Sequence, residues 1–389
     1  MASLDSVYRT HTLHYSLQPP PPNMSSKSTV LSHQTIYHDD EYYCAWPALV
    51  RLGNGDLLLS FTRTRQHLFP SGSLVTMRSS DNGVTWSKPV VAYNTAIDDR
   101  ENGLTVMPDG RVIMHIWSTF WQEAQYRALA RNSYPPEMLA AWIEQVNSPE
   151  YKSAENLKGN WTIISSDHGH TWSSPQRGPD SVHGGITLQN GSLLIASYRN
   201  TPDHSAIYGT DDPEKPWTKL ADIKCPTTQT HRFGEPHLTQ QPSGRVVAML
   251  RYTARAYDDT RDDLRLWQSY SDDNGHNWSA PEQTPMLGFP PHLFVLKDGR
   301  TVCTYGRRTA PYGERACISN DGTTWDIAHE IILRDDNAGY DLGYPASIET
   351  SPGEILSVYY QKPALDPTDK HKYKVGIYAT RWRAADVCA

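Results

Sequence analysis

No stretch of this 389-residue chain approaches 18 consecutive apolar residues, so the sequence offers no membrane-spanning helix. Nor is there a run of Lys or Arg. The formal net charge is −7, from 36 basic and 43 acidic residues, and without clustered positive charge a nucleic-acid partner is not expected. Cysteine is scarce as well. Cys44, Cys225, Cys303, Cys317 and Cys388 are odd in number and lack CxxC spacing, so they read as reduced, mostly buried small side chains rather than a disulfide framework or zinc site. No motif has metal-ligand spacing, and no cofactor is expected. Residues 1–30 contain Pro19 to Pro22 and many serines but no apolar signal core, which predicts a flexible segment and a cytoplasmic protein. The sequons at Asn23, Asn160, Asn190 and Asn277 would matter only in a secreted form.

What the chain has in quantity is aromatic side chains, 22 Tyr and 12 Trp, which are both strand formers and sugar-stacking surfaces. They recur in a pattern. Ser79 to Trp86, Ser165 to Trp172 and Ser271 to Trp278 fit SxDxGxxW; Ser319 to Trp325 is one residue shorter, and Thr210 to Trp217 reads as a decayed copy. The Asp accepts backbone N–H groups of a turn, the Gly takes positive φ and the Trp folds back on the hairpin. These turns speak for architecture and are silent on chemistry.

A second repeat lies in register with the first. The tetrapeptides beginning at Trp46, Glu101, His183, Glu235, Pro290 and Tyr344 recur every 52 to 55 residues, apart from one interval of 82. Each is followed by a turn glycine (Gly55, Gly110, Gly191, Gly244, Gly299, Gly353) and an apolar strand such as LLLSF or VVAMLRY. Strand, tight turn, strand and a hairpin closed by the Asp turn make a four-stranded blade. The expected fold is all-β: a six-bladed β-propeller forming a single domain over residues 31–389. Its last blade (Val375 to Trp382) is completed by the N-terminal segment near Ser32 to His38. The long interval holds a helical insertion at about residues 119–158 in blade 2, with helices expected over Glu123 to Arg131 and Pro136 to Val146. It reads equally as a lid over one face or as a helical decoration.

The first tetrapeptide position is equivalent in every blade and points into one shared funnel. Trp46, Glu101, His183, Glu235 and Tyr344 on one axis are an unusual set for a packing layer, because buried ionisable groups are costly unless paired or functional. His237 and His292 stand two positions further along their tetrapeptides and join the candidate substrate contacts. Arg63, Arg199, Arg251 and Arg307 end second strands, and a guanidinium fork suits carboxylates, sulfates or phosphates. An anionic sugar is therefore the expected partner. Each arginine has a structural alternative, a salt bridge to a neighbouring blade.

These residues resemble the sialidase superfamily from Tyr42 to Arg383, through the Asp-box repeats and the order Glu235, Arg251, Arg307, Tyr344. The resemblance implies a Tyr344 nucleophile, Glu235 as its base, and Arg251 with Arg307 as a carboxylate clamp; a phenol of pKa near 10 needs such a base. Two departures argue against authentic sialidase activity. The Arg-Ile-Pro motif appears as Ala45-Trp46-Pro47, without its arginine, and the position of the acid Asp falls near Pro70. Trp46 would then offer a stacking face, and the acid role would pass to Asp99, Glu101 or His183. Asp99 and Arg100, the latter also a candidate substrate contact, read equally as a structural ion pair.

The sequence thus predicts a sialidase-like exo-glycoside hydrolase acting on a terminal acidic sugar. Glu101 with Glu235 would be the ordinary carboxylate alternative to the Tyr344 mechanism. A uronate lyase, with Tyr344 or His183 as base, and a non-catalytic carbohydrate-binding propeller are the competing readings.

Overall fold

Segments such as Leu57–Thr64 (LLLSFTRT) and Glu354–Gln361 (EILSVYYQ) are rich in apolar, β-branched and aromatic residues and are buried along nearly their whole length, as strands covered on both faces must be. The glycines that end the first strand of each repeat take φ values from 72° to 93°, a conformation that costs other residues free energy, and so fold each segment back on the last. The computed structural model describes residues 30–125, 134–199, 203–227, 231–254, 264–362 and 375–384. The expected flexible segment, apart from Val30, lies outside the described residues, as do Cys388 and most of the first expected helix.

The described chain is all-β. Four sheets have four antiparallel strands each, and a fifth has eight, formed by two four-stranded meanders that share one parallel bridge between Gly72 and Asp98. The first meander runs through Tyr43–Arg51, Leu57–Thr64, Gly72–Ser79 and Val90–Asn94; the second through Asp98–Val106, Val112–Thr119, Gly159–Ser165 and Gln176–Arg177. The third, fourth and fifth begin at Ile186, His231 and Pro291. The sixth, Gly343–Ser351, Glu354–Gln361 and Gly376–Arg383, takes its outermost strand from Val30–Tyr37, which pairs antiparallel with Gly376–Arg383.

The core is distributed between the sheets. Leu104, Met114 and Ile116 of the second meander pack on Leu52, Leu58 and Leu74 of the first, and Leu193 of the third meets Ile113 and Ile164. Similar clusters join the third to the fourth, the fourth to the fifth and the fifth to the sixth. Leu356, Val358 and Ile377 of the sixth then pack on Leu57, Leu59 and Phe61 of the first. Consecutive meanders therefore pack on one another, and the last packs on the first. Cys44, Cys225, Cys303 and Cys317 are free thiols inside these clusters.

The SxDxGxxW turns add a second tie between sheets. In the first, Asp81 accepts from the backbone of Val84 and Thr85 at 3.1 and 2.9 Å, and Ser79 Oγ accepts from Gly83 N at 2.8 Å; the other copies repeat this closely. A Cβ on Gly83 would stand 2.4 Å from Leu356 of the sixth meander, and one on Gly169 would stand 2.8 Å from Leu58 of the first. Each turn is thus pressed against the preceding sheet.

The insertion in the second meander contains helices α1 (Pro136–Asn147) and α2 (Pro149–Ser153). Trp142, Val146 and Tyr151 turn inward onto Phe69 and Ile97, forming an apolar cluster separate from the sheet interfaces. Tyr134 both donates to Leu68 O (2.6 Å) and accepts from Leu68 N (2.9 Å), while Tyr151 Oη bridges the backbone of Trp121. The insertion is a buttress for the loop at residues 65–71.

Contact between inner strands is closest where Gly103 meets Gly184: a Cβ on Gly103 would lie 2.1 Å from the Gly184 nitrogen, whereas one on Gly53 would meet nothing nearer than 4.0 Å. Gly103→Ala is therefore expected to lower stability by roughly 2–3 kcal/mol through overpacking against backbone, and Gly53→Ala by about 0.5 kcal/mol or less. Urea unfolding of both variants checks this; equal costs would refute the close approach.

Candidate active site

The inner strands carry a repeated irregularity that aims side chains at the centre. In the first, fourth and sixth meanders two residues face one on the neighbouring strand: Trp46-Pro47, Glu235-Pro236 and Tyr344-Pro345 each interrupt the register. Such a bulge resets the side-chain alternation of a strand. Trp46, Glu235 and Tyr344 have φ values of 54°, 42° and 52°, a left-handed conformation that costs a non-glycine residue about 1–3 kcal/mol and that clusters at functional sites. In the second meander the register instead shifts between Asp99 and Glu101.

A cavity of about 690 Å³ opens at this centre, a size typical of small-molecule sites. Its wall includes Glu235, Tyr344, Glu101 and Asp341 together with Arg100, Arg199, Arg232, Arg251 and Arg308. Five guanidiniums against three carboxylates leave an excess of positive charge. Tyr344 Oη donates to Glu235 Oε1 at 2.6 Å, and Arg251 Nη1 donates to Glu235 Oε2 at the same distance. Burial opposes the Glu235 charge, but Arg251 and the Tyr344 hydrogen bond outweigh it and hold the carboxyl below its ordinary range. Burial and the facing Glu235 carboxylate push the Tyr344 phenol well above 10. The pair thus rests as a neutral phenol on an ionised acceptor.

Glu101 also lines the cavity. It is engaged by the Arg199 guanidinium and by Tyr198 Oη (3.4 Å), with Arg100 Nε 3.8 Å away. Arg199 Cζ lies over the Trp117 ring, 3.4 Å from its centroid, and Arg251 Cζ over Phe289 at 3.8 Å. These stacked, paired guanidiniums form stiff walls.

Other sequence candidates lie elsewhere. Arg307 does not line the cavity; it turns toward Glu330 (3.8 Å), and its successor Arg308 enters instead, donating to Phe289 O and Tyr360 Oη. Neighbouring residues of a strand face opposite ways, so one step in register exchanges the roles. Asp99 is fully buried off the cavity, accepting from Thr95 N and Ser118 Oγ at 2.5 Å each. Its proposed ion pair is absent from the described contacts; Arg100 reaches Asp98 (3.5 Å) and Glu101 instead. Trp46 is 1% exposed and offers no stacking face, because Arg100 covers its ring at 4.2 Å. Arg63 lies over Tyr42, away from the cavity.

His183, His237 and His292 form a buried cluster that reaches Tyr344 through His183, with ring centroids 6.2 Å apart. Burial lowers the pKa of each, and the His183 ring nitrogens meet no hydrogen-bond partner among the described residues. Nδ1 of His237 accepts from Leu293 N (2.8 Å) and Nδ1 of His292 from Ser347 N (3.4 Å), which fixes both as neutral rings. None of the three lines the cavity, so neither an acid role for His183 nor substrate contact by His237 or His292 has a surface to act on. Among the described residues, no group of three or more His, Cys, Asp or Glu is arranged to hold a metal ion.

The sequence reading missed His67, Asp341 and Arg308. Their signals were present: the position sought near Pro70 lies three residues from His67, Asp341 precedes Tyr344 by three, and Arg308 follows Arg307.

Fold and site together define an all-β protein of repeated antiparallel meanders with ionisable side chains converging on a central cavity. The chain belongs to the BNR repeat-like domain family, whose model matches residues 137–356, more than half of its length. No curated protein matches it. Among solved structures, a Dyadobacter fermentans protein of unknown function is similar at 21% identity and a TM-score of 0.72, covering 92% of this chain and 99% of that one. The NanB sialidase of Streptococcus pneumoniae is similar at 14% identity and 0.63, covering 92% and 71%. The α-L-arabinanase of Penicillium chrysogenum, solved with arabinobiose, is similar at 16% identity and 0.57, covering 90% and 98%. The sialidase-like resemblance read from the sequence thus holds at the level of the fold.

Burial pushes the Asp99 carboxyl up to about 7 from 3.8, against the hydrogen bonds from Ser118 and Thr95. A carboxyl whose folded pKa is raised contributes stability below its unfolded value and loses that contribution as pH rises through the folded one. Asp99→Asn is therefore expected to gain on the wild type by roughly 2–4 kcal/mol between about pH 4 and pH 7. Parallel urea-unfolding midpoints for the two proteins across that range would count against it.

Proposed function

We propose that the chain is a closed six-bladed β-propeller acting as a retaining exo-glycoside hydrolase on a terminal acidic sugar. The observation that carries this reading is the contact of Tyr344 with Glu235, backed by Arg251, inside an arginine-rich cavity. Support for the propeller comes from the closed order of sheet-to-sheet clusters and from the pairing of Val30–Tyr37 with Gly376–Arg383. The names of the similar sialidase and arabinanase support sugar hydrolysis as the class of reaction.

An anionic sugar repels an anionic nucleophile, so a phenol that remains neutral until attack is the better reagent beside a substrate carboxylate. Tyr344 Oη attacks the anomeric carbon while its proton passes to Glu235. Arg251 steadies the Glu235 carboxylate in the resting state, and Arg308 and Arg100 bind the substrate anion in place of the arginine that Ala45 replaces. Water then displaces Tyr344 from the glycosyl adduct, and Glu235 returns the proton to the phenolate. Two displacements at one carbon give net retention.

Wild type and Tyr344→Phe are to be screened against aryl glycosides and acidic oligosaccharides, with products analysed by mass. Turnover by the wild type and a loss of about 1,000-fold or more in the folded variant are expected from removal of a covalent nucleophile. Unchanged turnover in Tyr344→Phe would remove the mechanism. An ultraviolet-absorbing unsaturated product would replace hydrolysis with uronate lysis.

A further inference from the structure

The cavity wall holds an imidazole with a prepared hydrogen-bond relay behind it, and it faces the Tyr344–Glu235 pair across Trp46. His67 Nδ1 lies 2.7 Å from Tyr43 Oη and 3.2 Å from Asp341 Oδ1. Tyr43 Oη donates to Asp341 Oδ2 at 2.8 Å, and Tyr360 Oη donates to Asp341 Oδ1 at 2.9 Å. Asp341 is the acceptor toward His67, Tyr43 and Tyr360, and its hydrogen bonds and charged neighbours hold it ionised despite its burial. An ionised carboxylate there orients the ring with an N–H at Nδ1 and leaves Nε2 available to the cavity.

The placement of His67 is over-determined. Arg100 donates to the His67 carbonyl, the Trp46 ring meets the imidazole edge-on with centroids 5.3 Å apart, and the adjacent Leu68 backbone is held by Tyr134 of the insertion. Tyr344 touches the same Trp46 ring, centroids 6.4 Å apart, so nucleophile and imidazole contact one indole and line one cavity. The other acids on the wall are committed. Glu235 carries Tyr344 and Arg251, Glu101 is paired with Arg199, and Asp341 is tied to two phenols.

We infer that His67 is the general acid of this site and that Asp341 and Tyr43 position it. This rests on the Tyr344 reading above. As the anomeric carbon bonds to Tyr344 Oη, the glycosidic C–O bond breaks and its electron pair stays on the departing oxygen. That oxygen takes the Nε2 proton of the His67 imidazolium and leaves as an alcohol. The neutral imidazole then accepts a proton from the incoming water, whose oxygen bonds to the anomeric carbon as the bond to Tyr344 breaks. His67 ends protonated, ready for the next cycle.

A general acid matters in proportion to how poor the leaving group is. The test compares a 2,4-dinitrophenyl glycoside with a methyl glycoside of the same acidic sugar, for wild type, His67→Ala, His67→Asp and Tyr344→Phe. His67→Ala is expected to lose about 100-fold or more in kcat/KM on the methyl glycoside and less than about 10-fold on the dinitrophenyl one; His67→Asp is expected to recover part of the difference. Equal losses on both substrates, or none on either, would overturn the acid role while leaving the Tyr344 reading intact. Activity of Tyr344→Phe on both, or no turnover of either glycoside by the wild type, would overturn that reading and this inference with it.

Discussion

Glu235 is a carboxylate taken out of water, and such a group must be paired if the fold that buries it is to persist. Its two oxygens are met by side chains from different places: Arg251 from the neighbouring strand of its own sheet, and Tyr344 from a sheet 109 residues further along the chain. That requirement ties the two halves of the molecule together at the centre. It also explains why strained backbone persists there. Without the bulges at Glu235 and Tyr344 the alternation of the strands would carry these side chains off the axis, and the carboxylate would lose a hydrogen-bond donor that offsets its desolvation.

The centre can be polar because the structure is held together elsewhere. Apolar clusters between successive sheets supply the bulk of the burial, and the SxDxGxxW turns press each sheet on its predecessor from the outside. The ionisable groups on the inner strands are therefore carried on a frame that does not depend on them. The insertion extends the same logic to the first meander, where a long loop would otherwise leave His67 unsupported.

The cavity also shows how one substitution is absorbed by its neighbours. Ala45 stands where the sialidase resemblance implies an arginine, yet a guanidinium is still present, because Arg100 reaches in from the second meander and lies over the neighbouring Trp46 indole. The indole in turn packs against His67 and Tyr344. The change of residue type reorganises the wall without removing its positive charge.

Two periodicities in the sequence, the turn motif and the inner tetrapeptide, were enough to determine the meanders, the completion of the last one by Val30–Tyr37, and the convergence of Glu235, Tyr344, Glu101 and Arg251. These follow from local rules: glycine where φ is positive, aspartate where a turn needs an acceptor, apolar runs where both faces are covered. Tertiary structure decided which side chain of each neighbourhood faces the cavity. Arg308 enters rather than Arg307, Asp99 and Trp46 are buried beneath the wall, and His67 arrives from a loop whose course is set by packing on α1. Spacing assigns a residue to a strand or loop, but the direction of its side chain depends on bulges and on contacts between distant segments, and those exist only once the sheets have met.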